Sequence, residues 1–158
     1  ENGFGMRPVY LNHDGVSEAQ KVNKIFLNHN EFMETSDVIT IHCALTPNTH
    51  HLLNADAFGR MKHSALVINT ARGAVIKEQD LITALQEKLI AGAGIDVVDG
   101  EPPSENHPYI ALLDQPNFLL TPHIAWTSVE AMQALADQCI ENIENFFNGN
   151  PSNLVNIN

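Results

Sequence analysis

Cysteines and basic residues are scarce in this 158-residue sequence. The two cysteines, Cys43 and Cys139, have no paired spacing, so neither a disulfide framework nor a zinc knuckle is expected, and both are predicted to be buried thiols. Lys and Arg total 8 against 19 Asp and Glu, which gives a net charge of −11. Because this charge repels phosphates, nonspecific nucleic-acid binding is not expected.

Long hydrophobic runs are also absent. No stretch approaches the roughly 20 apolar residues that a membrane helix needs. The first residues do not show the basic and then apolar layout of a signal peptide, so a cytoplasmic location without membrane association is expected. The 44% hydrophobic and 17% charged residues are typical of a globular domain and argue against disorder.

Short apolar runs alternate with amphipathic segments along the chain. Strands are predicted over residues 8–12, 37–44, 64–69, 91–98 and 117–121. Helices are predicted over residues 31–36, 54–61, 78–89 and 129–148. Residues 17–26 are expected to form a loop or a short helix, and Phe146 and Phe147 are expected to be packing residues. Strands alternating with helices predict an α/β fold with a doubly wound parallel sheet.

Polar side chains follow these predicted strands, where ligands of open α/β sheets usually bind. The residues expected to gather at this edge of the sheet are His42, Arg72, Asp96, Glu101 and His123. His123 follows a strand and Pro122 at the mouth of a loop, which makes it a candidate general acid or base. A lone histidine is more often a surface or satisfied core residue, so the pattern by itself leaves both interpretations open.

Three blocks of residues together resemble the D-isomer-specific 2-hydroxyacid dehydrogenases. They are Val67-Ile-Asn-Thr-Ala-Arg-Gly73, Gly92 to Pro103, and Leu120-Thr-Pro-His-Ile-Ala-Trp-Thr-Ser128. They occur in the family's order, and residues 36–49 resemble the strand and Thr-Pro turn that precede them. The resemblance runs from about Phe4 to Asn156. The Ile-Ala-Trp segment after His123 is most similar to the glycerate dehydrogenase and hydroxypyruvate reductase branch.

The resemblance implies an NAD(P)-dependent oxidoreductase that interconverts a D-2-hydroxy acid and its 2-keto acid. D-glycerate with hydroxypyruvate is the expected pair, and glyoxylate is a further candidate. Arg72 would bind the carboxylate and carbonyl oxygens with its planar charged fork. His123 would act as general acid in reduction, and Glu101 would hydrogen-bond its other ring nitrogen and raise its pKa. Asp99 is the rival partner for His123, and Trp126 is expected to line the substrate pocket.

The resemblance also implies which residues line the dinucleotide. They are Asn12, His42, Cys43, Ala44, Thr49, Thr70, Ala71, Arg72, Asp96, His123 and Ala125. Asp96 would face the nicotinamide amide. Many NAD-dependent relatives have an acid at the position of Asn12 to bind the ribose hydroxyls, whereas here His13 and Asp14 follow it. NAD is the cofactor that the resemblance implies, and this departure at Asn12 leaves NADP open.

The family's Gly-x-Gly-x-x-Gly fingerprint, which follows the first strand and opens a helix, has no match in the sequence. Two near-matches, Gly3-Phe-Gly5 and Gly92-Ala-Gly94, are predicted to be glycines needed for close backbone packing. Residues 1–128 are therefore predicted to be a partial dinucleotide-binding domain that lacks its first strand and glycine-rich loop. Residues 129–158 are predicted to be a C-terminal helix and tail leading back towards a substrate domain whose main part is absent.

In the strand order 3-2-1-4-5-6 the missing strand is the central one. The chain is therefore expected to be a C-terminal fragment that does not turn over alone, from a parent that resembles the family's homodimers. Phosphoglycerate or formate oxidation, and a non-catalytic corepressor-type module, are the alternative functions. No metal site is expected, because no cysteine or carboxylate completes a ligand set with His42, His50, His51 and His63.

Overall fold

The computed structural model describes residues 3–12 and 22–155. The chain divides into two compact units, a first unit of residues 1–122 and a second unit of residues 123–158. The division proposed from the sequence, after residue 128, concerns which functional domain each part belongs to. That division stays a prediction.

The first unit alternates strands with short helices. Its strands are β1 (Tyr10–Leu11), β2 (Phe26–Leu27), β3 (Val38–Ile41), β4 (Leu66–Asn69), β5 (Gly92–Ile95) and β6 (Phe118–Leu120). Its α-helices are α1 (His29–Thr35), α2 (Ala55–Arg60) and α3 (Glu78–Gln86), and two 3₁₀ turns span Gly73–Val75 and Pro108–Leu112. The second unit contains α4 (Val129–Phe147).

All strand pairs in the described residues are parallel. β3, β4, β5 and β6 form one sheet in that order, and β1 and β2 form a separate two-stranded sheet. Within residues 3–12 and 22–155 no strand joins β1 to β3, which is where the order 3-2-1-4-5-6 would place a first strand. The prediction of a parallel α/β fold without that strand is confirmed.

Side chains on one face of the four-stranded sheet form the core. A row of register partners across the sheet, all buried, consists of Ile39, Val67, Ala93 and Phe118. Helices α1, α2 and α3 contribute Met33, Phe58 and Leu81 to the same core. Burial of each such large side chain contributes about 1.5–3 kcal/mol relative to exposure, so this face holds the helices against the sheet.

The opposite face of this sheet is open in the part of the chain that the structure describes. Val38, Leu66 and Leu119, which project to that face, are 46%, 42% and 65% exposed. Parallel sheets are normally covered on both faces. The helices of the first unit therefore satisfy only half of the burial that this sheet type requires.

The observed helices lie close to their predicted ranges. The Asn54 side chain caps α2 by accepting hydrogen bonds from the N–H groups of Asp56 and Ala57. Residues 17–26 are different, because Phe26 begins β2 where a loop or short helix was predicted. A two-residue strand is too short to show an alternating pattern, and only its pairing with β1 defines it. Residues 17–21 lie outside the described ranges.

The predicted role of the near-match glycines holds for Gly92 only. A Cβ on Gly92 would lie 2.8 Å from the Asn117 carbonyl oxygen, and one on Gly94 would lie 3.2 Å from the Ile68 side chain. Close backbone packing therefore explains Gly92, whereas the neighbour of Gly94 is a side chain. A Cβ on Gly5 would meet nothing within 4 Å, and its φ of +68° points to a turn instead. The packing prediction is wrong for that segment.

Helix α4 is longer than any other helix described. The Ser128 hydroxyl caps it by accepting the Ala131 N–H, and none of its residues is buried. Cys139 is exposed, so the prediction of a buried thiol is wrong there. Phe146 and Phe147 are 69% and 84% exposed, which contradicts their predicted packing role. Among the described helices none has the length and apolar character needed to cross a membrane.

Candidate active site

Four parallel strands of the first unit end side by side. Their last paired residues, Ile41, Asn69, Ile95 and Leu120, are register partners across the sheet. The residues that follow them, His42, Thr70, Asp96 and Thr121, therefore start from neighbouring positions at one edge. Ligands of open α/β sheets bind beyond this edge, which makes it the candidate site.

The segment after β4 is shaped by Asn69. The buried Asn69 side chain accepts the Ala71 N–H and donates to the Arg72 carbonyl oxygen, both at 3.0 Å. Arg72 is exposed, and its Nη1 donates to the Ala71 carbonyl oxygen at 2.6 Å. An exposed guanidinium on a segment held this way can bind a carboxylate through two parallel hydrogen bonds. Sequence reasoning missed Asn69, although a polar residue that ends an apolar strand was a usable signal.

Asp96 at the end of β5 is buried, and it joins two strand ends. Its carboxylate accepts a 2.5 Å hydrogen bond from the Thr121 hydroxyl, and the Thr121 N–H donates to the Ile95 carbonyl oxygen. A buried carboxylate requires such partners to offset its lost hydration. Thr121 was not among the predicted site residues, although it ends a strand in the same way. The role of Asp96 towards a nicotinamide amide stays a prediction.

The loop that carries Glu101 contacts the segment that carries Arg72. A Cβ on Gly73 would lie 2.0 Å from the Val98 carbonyl carbon, so the two backbones meet too closely for any other residue. Glu101 is exposed, and its Oε1 accepts the Val98 N–H at 3.1 Å. The structure thus holds the predicted arginine segment and the predicted glutamate loop against each other. Asp99 is exposed in the same loop.

In the loop after β3, the predicted cofactor residue Thr49 forms hydrogen bonds within the loop itself. The Thr49 hydroxyl is buried, donates to the Ala44 carbonyl oxygen at 2.7 Å and accepts the Thr46 N–H at 2.8 Å. His42 is exposed, with its Nε2 2.8 Å from the Thr40 hydroxyl. Burial raises the pKa of the half-buried Cys43 thiol, and a backbone hydrogen bond opposes this effect more weakly.

The other residues of the first unit that were predicted to line the dinucleotide, Asn12, Thr70 and Ala71, lie at strand ends. Asn12 follows β1, is exposed, and donates its backbone N–H to the Leu27 carbonyl oxygen at 2.8 Å. Thr70 is exposed and Ala71 is half-buried. His13 and Asp14 lie outside the described ranges. Across residues 3–12 and 22–155 no three His, Cys, Asp or Glu side chains gather in a way that could hold a metal ion.

The second unit begins with a tight turn that contains His123, which is half-buried. His123 has a φ of 55°, a left-handed conformation that costs a non-glycine residue about 1–2 kcal/mol. The Trp126 Nε1–H donates to the His123 carbonyl oxygen at 3.0 Å, and the Thr127 hydroxyl donates to the Ile124 carbonyl oxygen at 2.7 Å. Strained backbone held by its surroundings is concentrated at functional sites. Ala125 and Trp126 are exposed in this turn, and their predicted roles stay predictions.

Comparison with known proteins agrees with these features. Residues 1–125 match the family model described as D-isomer specific 2-hydroxyacid dehydrogenase, NAD binding domain. A glycerate dehydrogenase of Methylorubrum extorquens is 49% identical over 120 residues, which cover 76% of this chain and 38% of that protein. A hydroxypyruvate reductase of Blautia hydrogenotrophica is 39% identical over 153 residues, which cover 97% of this chain and 47% of that protein. The predicted similarity to this branch is confirmed.

Solved structures show the same fold. A D-isomer specific 2-hydroxyacid dehydrogenase from Lactobacillus delbrueckii, in its NAD-complexed form, superposes with a TM-score of 0.81 at 26% identity, covering 94% of this chain and 48% of that one. An acyclic imino acid reductase in complex with NADPH and D-Arg gives a TM-score of 0.84 at 32% identity, covering 98% and 48%. The chain spans less than half the length of these relatives. Through its NAD-binding domain, the chain belongs to the family of D-isomer-specific 2-hydroxyacid dehydrogenases.

Proposed function

We propose that this chain is the dinucleotide-binding part of an NAD(P)-dependent dehydrogenase that interconverts D-glycerate and hydroxypyruvate, with glyoxylate as a second substrate. The observation that carries the proposal is the exposed Arg72 guanidinium at the carboxyl edge of the sheet, beside the loop of Glu101. Its support is the similarity to a glycerate dehydrogenase and a hydroxypyruvate reductase.

The proposed chemistry assigns one task to each side chain. Arg72 binds the substrate carboxylate through paired charge-assisted hydrogen bonds, which orient the adjacent carbonyl group. A nicotinamide held by these residues would supply or accept the hydride. His123 donates a proton to the carbonyl oxygen during reduction and removes it during oxidation. Glu101 hydrogen-bonds the other ring nitrogen of His123 and so fixes the orientation of the ring.

The strand ends fit a dinucleotide because they present small or polar residues at one edge. Thr70 and Ala71 after β4, the loop from His42 to Ala44 after β3, and Asp96 after β5 are the proposed contacts. Asn12 at the end of β1 takes the place where an acid would bind the ribose hydroxyls of NAD. NAD is the proposed cofactor, and NADP is the second candidate because one structural neighbour was solved with NADPH.

The direct test is an NADH oxidation assay with hydroxypyruvate and glyoxylate, paired with the intact mass of the purified protein. We expect turnover from the longer native protein that contains this chain and none from a verified 158-residue chain. The same assay with NAD and either phosphoglycerate or formate tests the alternative enzyme activities. NADH binding without turnover of any of these compounds by the longer protein would support the corepressor-type alternative instead.

Cofactor preference can be tested at the end of β1. Asn12→Asp places a carboxylate where the ribose 2′ position is expected, so it should weaken NADPH binding by about tenfold or more through charge repulsion while NADH binding changes little. The measurement is the dissociation constant of each nucleotide by fluorescence titration. Equal effects on both nucleotides would remove Asn12 from the ribose site.

A further inference from the structure

The loop that carries Glu101 is exposed between two buried anchors. Residues 99–106 are all exposed, whereas Val98 before them and His107 after them are buried. The His107 N–H donates a backbone hydrogen bond to the Ser104 carbonyl oxygen at 2.9 Å, which closes the end of this loop. An exposed loop of this kind is mobile unless side chains from other elements tie it down.

One carboxylate from helix α3 ties both ends of this loop. Glu78 Oε1 accepts the Asp99 N–H at 2.9 Å, and Glu78 Oε2 lies 3.1 Å from His107 Nε2. Both side chains are largely shielded from water, with 14% of Glu78 and 8% of His107 exposed. A single acid outside the loop thus holds the first residue of the loop and the residue that follows the loop.

The ring of His107 is oriented by a second contact. Its Nδ1 accepts the Tyr109 N–H at 3.3 Å, which assigns the ring proton to Nε2 and directs that N–H to the side of Glu78. The Nε2–H is not aligned for a regular hydrogen bond, so the 3.1 Å contact acts through charge and dipole. A ring with its proton on Nε2 is therefore compatible with both contacts.

Glu78 also suits its position as an anion. It lies in the first turn of α3, where the positive end of the helix dipole stabilises negative charge. Burial, and secondarily the charge of Glu78, raise the pKa of the nearby Tyr109. The carboxylate is thus placed among an N–H donor, a ring N–H and a helix N-terminus, which together offset its lost hydration.

We propose that Glu78 and His107 are positioning residues that hold the Glu101 loop in its productive place beside Arg72. This rests on the proposed function, in which Glu101 acts on the catalytic histidine. Glu78 and His107 are not among the proposed substrate or cofactor contacts, and their contacts lie at the two ends of the loop that carries Glu101, so each acts through Glu101. A displacement of about 1 Å at a catalytic group can cost up to about 100-fold in rate, which makes a brace of this kind kinetically visible.

The test uses the longer native protein and three single variants. Glu78→Gln keeps the shape but can satisfy only one of the two partners, because its amide nitrogen donates where an acceptor is required. His107→Asn keeps a side-chain acceptor for the Tyr109 N–H and removes the contact with Glu78. Glu87→Gln is the matched control, since it makes the same chemical change at an exposed site at the end of the same helix.

We expect Glu78→Gln and His107→Asn to lower kcat for hydroxypyruvate about tenfold, with the NADH dissociation constant within about twofold. Glu87→Gln should match the wild type. The deciding measurement is a double-mutant cycle with Glu101→Gln. If Glu78 acts through Glu101, Glu78→Gln should lower kcat by less than about twofold when Glu101→Gln is already present. A cost equal to that in the wild type would show a merely structural role and overturn the proposal.

Amide hydrogen exchange supplies a readout that does not depend on activity. Glu78→Gln and His107→Asn should each speed exchange across residues 98–107 by about tenfold or more, and Glu87→Gln should not. Unchanged exchange in both variants would overturn the proposal, whatever the kinetics. A wild-type protein that reduces no 2-keto acid would instead overturn the proposed function, and the exchange rates would still decide whether Glu78 and His107 hold the loop.

Discussion

At the scale of single residues, exposure separates the two thiols. Cys43 is half-buried directly after β3, whereas Cys139 is exposed on α4. Burial holds the pKa of the Cys43 thiol above its ordinary value of 9.0, so less of it is thiolate near neutral pH. Only Cys43 is among the residues proposed to line the dinucleotide.

Alkylation by iodoacetamide should therefore modify Cys139 before Cys43 at pH 8. The Cys43 rate should keep rising as the pH passes 9, because its thiolate forms at higher pH. Saturating NADH should slow the modification of Cys43 severalfold and leave Cys139 unchanged. Peptide mass spectrometry over time measures both sites in one sample. Equal protection of both cysteines, or of neither, would argue against the proposed cofactor position of Cys43.

The planar fork of Arg72 is the residue-scale feature on which the substrate proposal depends. Arg72→Lys keeps the positive charge but loses the paired hydrogen bonds to a carboxylate. We expect kcat/KM for hydroxypyruvate to fall about 100-fold, equivalent to about 2.7 kcal/mol of transition-state stabilisation. Steady-state kinetics with the longer native protein provide the measurement. A fall below about threefold would mean that Arg72 does not bind the substrate carboxylate.

At the scale of elements, glycines show where backbones meet. Gly73 lies against the backbone of Val98 and Asp99, while a Cβ on Gly59 in α2 would meet nothing within 4 Å. The contact at Gly73 joins the end of β4 to the loop after β5. It places the Arg72 segment against the start of the Glu101 loop, and any side chain at position 73 would disrupt this contact.

Two alanine substitutions should therefore change the free energy of unfolding in opposite directions. Gly73→Ala should destabilise the fold by about 3 kcal/mol or more, because its methyl group has no space beside the Val98 carbonyl group. Gly59→Ala should stabilise the fold by about 0.5–1 kcal/mol, since alanine is the better helix former. Urea unfolding of both variants and the wild type measures the difference. A neutral Gly73→Ala variant would contradict the close approach seen here.

At the scale of the whole molecule, the two faces of the four-stranded sheet have different surroundings. One face packs on α1, α2 and α3, and the other leaves Val38, Leu66 and Leu119 exposed. Val67 and Val38 make a matched pair, because they are the same residue type on neighbouring strands and face opposite sides. Val67 is fully buried and Val38 is 46% exposed.

In the 158-residue chain, Val67→Thr should cost about 1–3 kcal/mol through an unsatisfied buried hydroxyl. Val38→Thr should change stability by less than about 0.5 kcal/mol, as exposed substitutions usually do. Chemical denaturation followed by circular dichroism gives both values. Similar costs at the two positions would show that the second face is also buried in solution.

The positions of several candidate site residues could be predicted from the local sequence pattern. His42, Arg72 and Asp96 were placed correctly at the strand ends, because apolar runs mark strands and parallel strands end at one edge. Asn69, Thr121, Glu78 and His107 were missed. Thr121, Glu78 and His107 contact distant segments, which no local pattern of polar residues specifies. Asn69 differs, because its side chain bonds to the nearby Ala71 and Arg72.

The sequence alone determined the parallel α/β class, the approximate helix ranges and the family signatures, because periodicity and motif spacing are local properties. The tertiary structure decided which sheet face is covered and which side chains meet. Glu78 reaches a backbone N–H 21 residues away, and Thr121 donates to a carboxylate 25 residues away. Such contacts depend on strand register and helix docking, which are set by the packing of the whole domain.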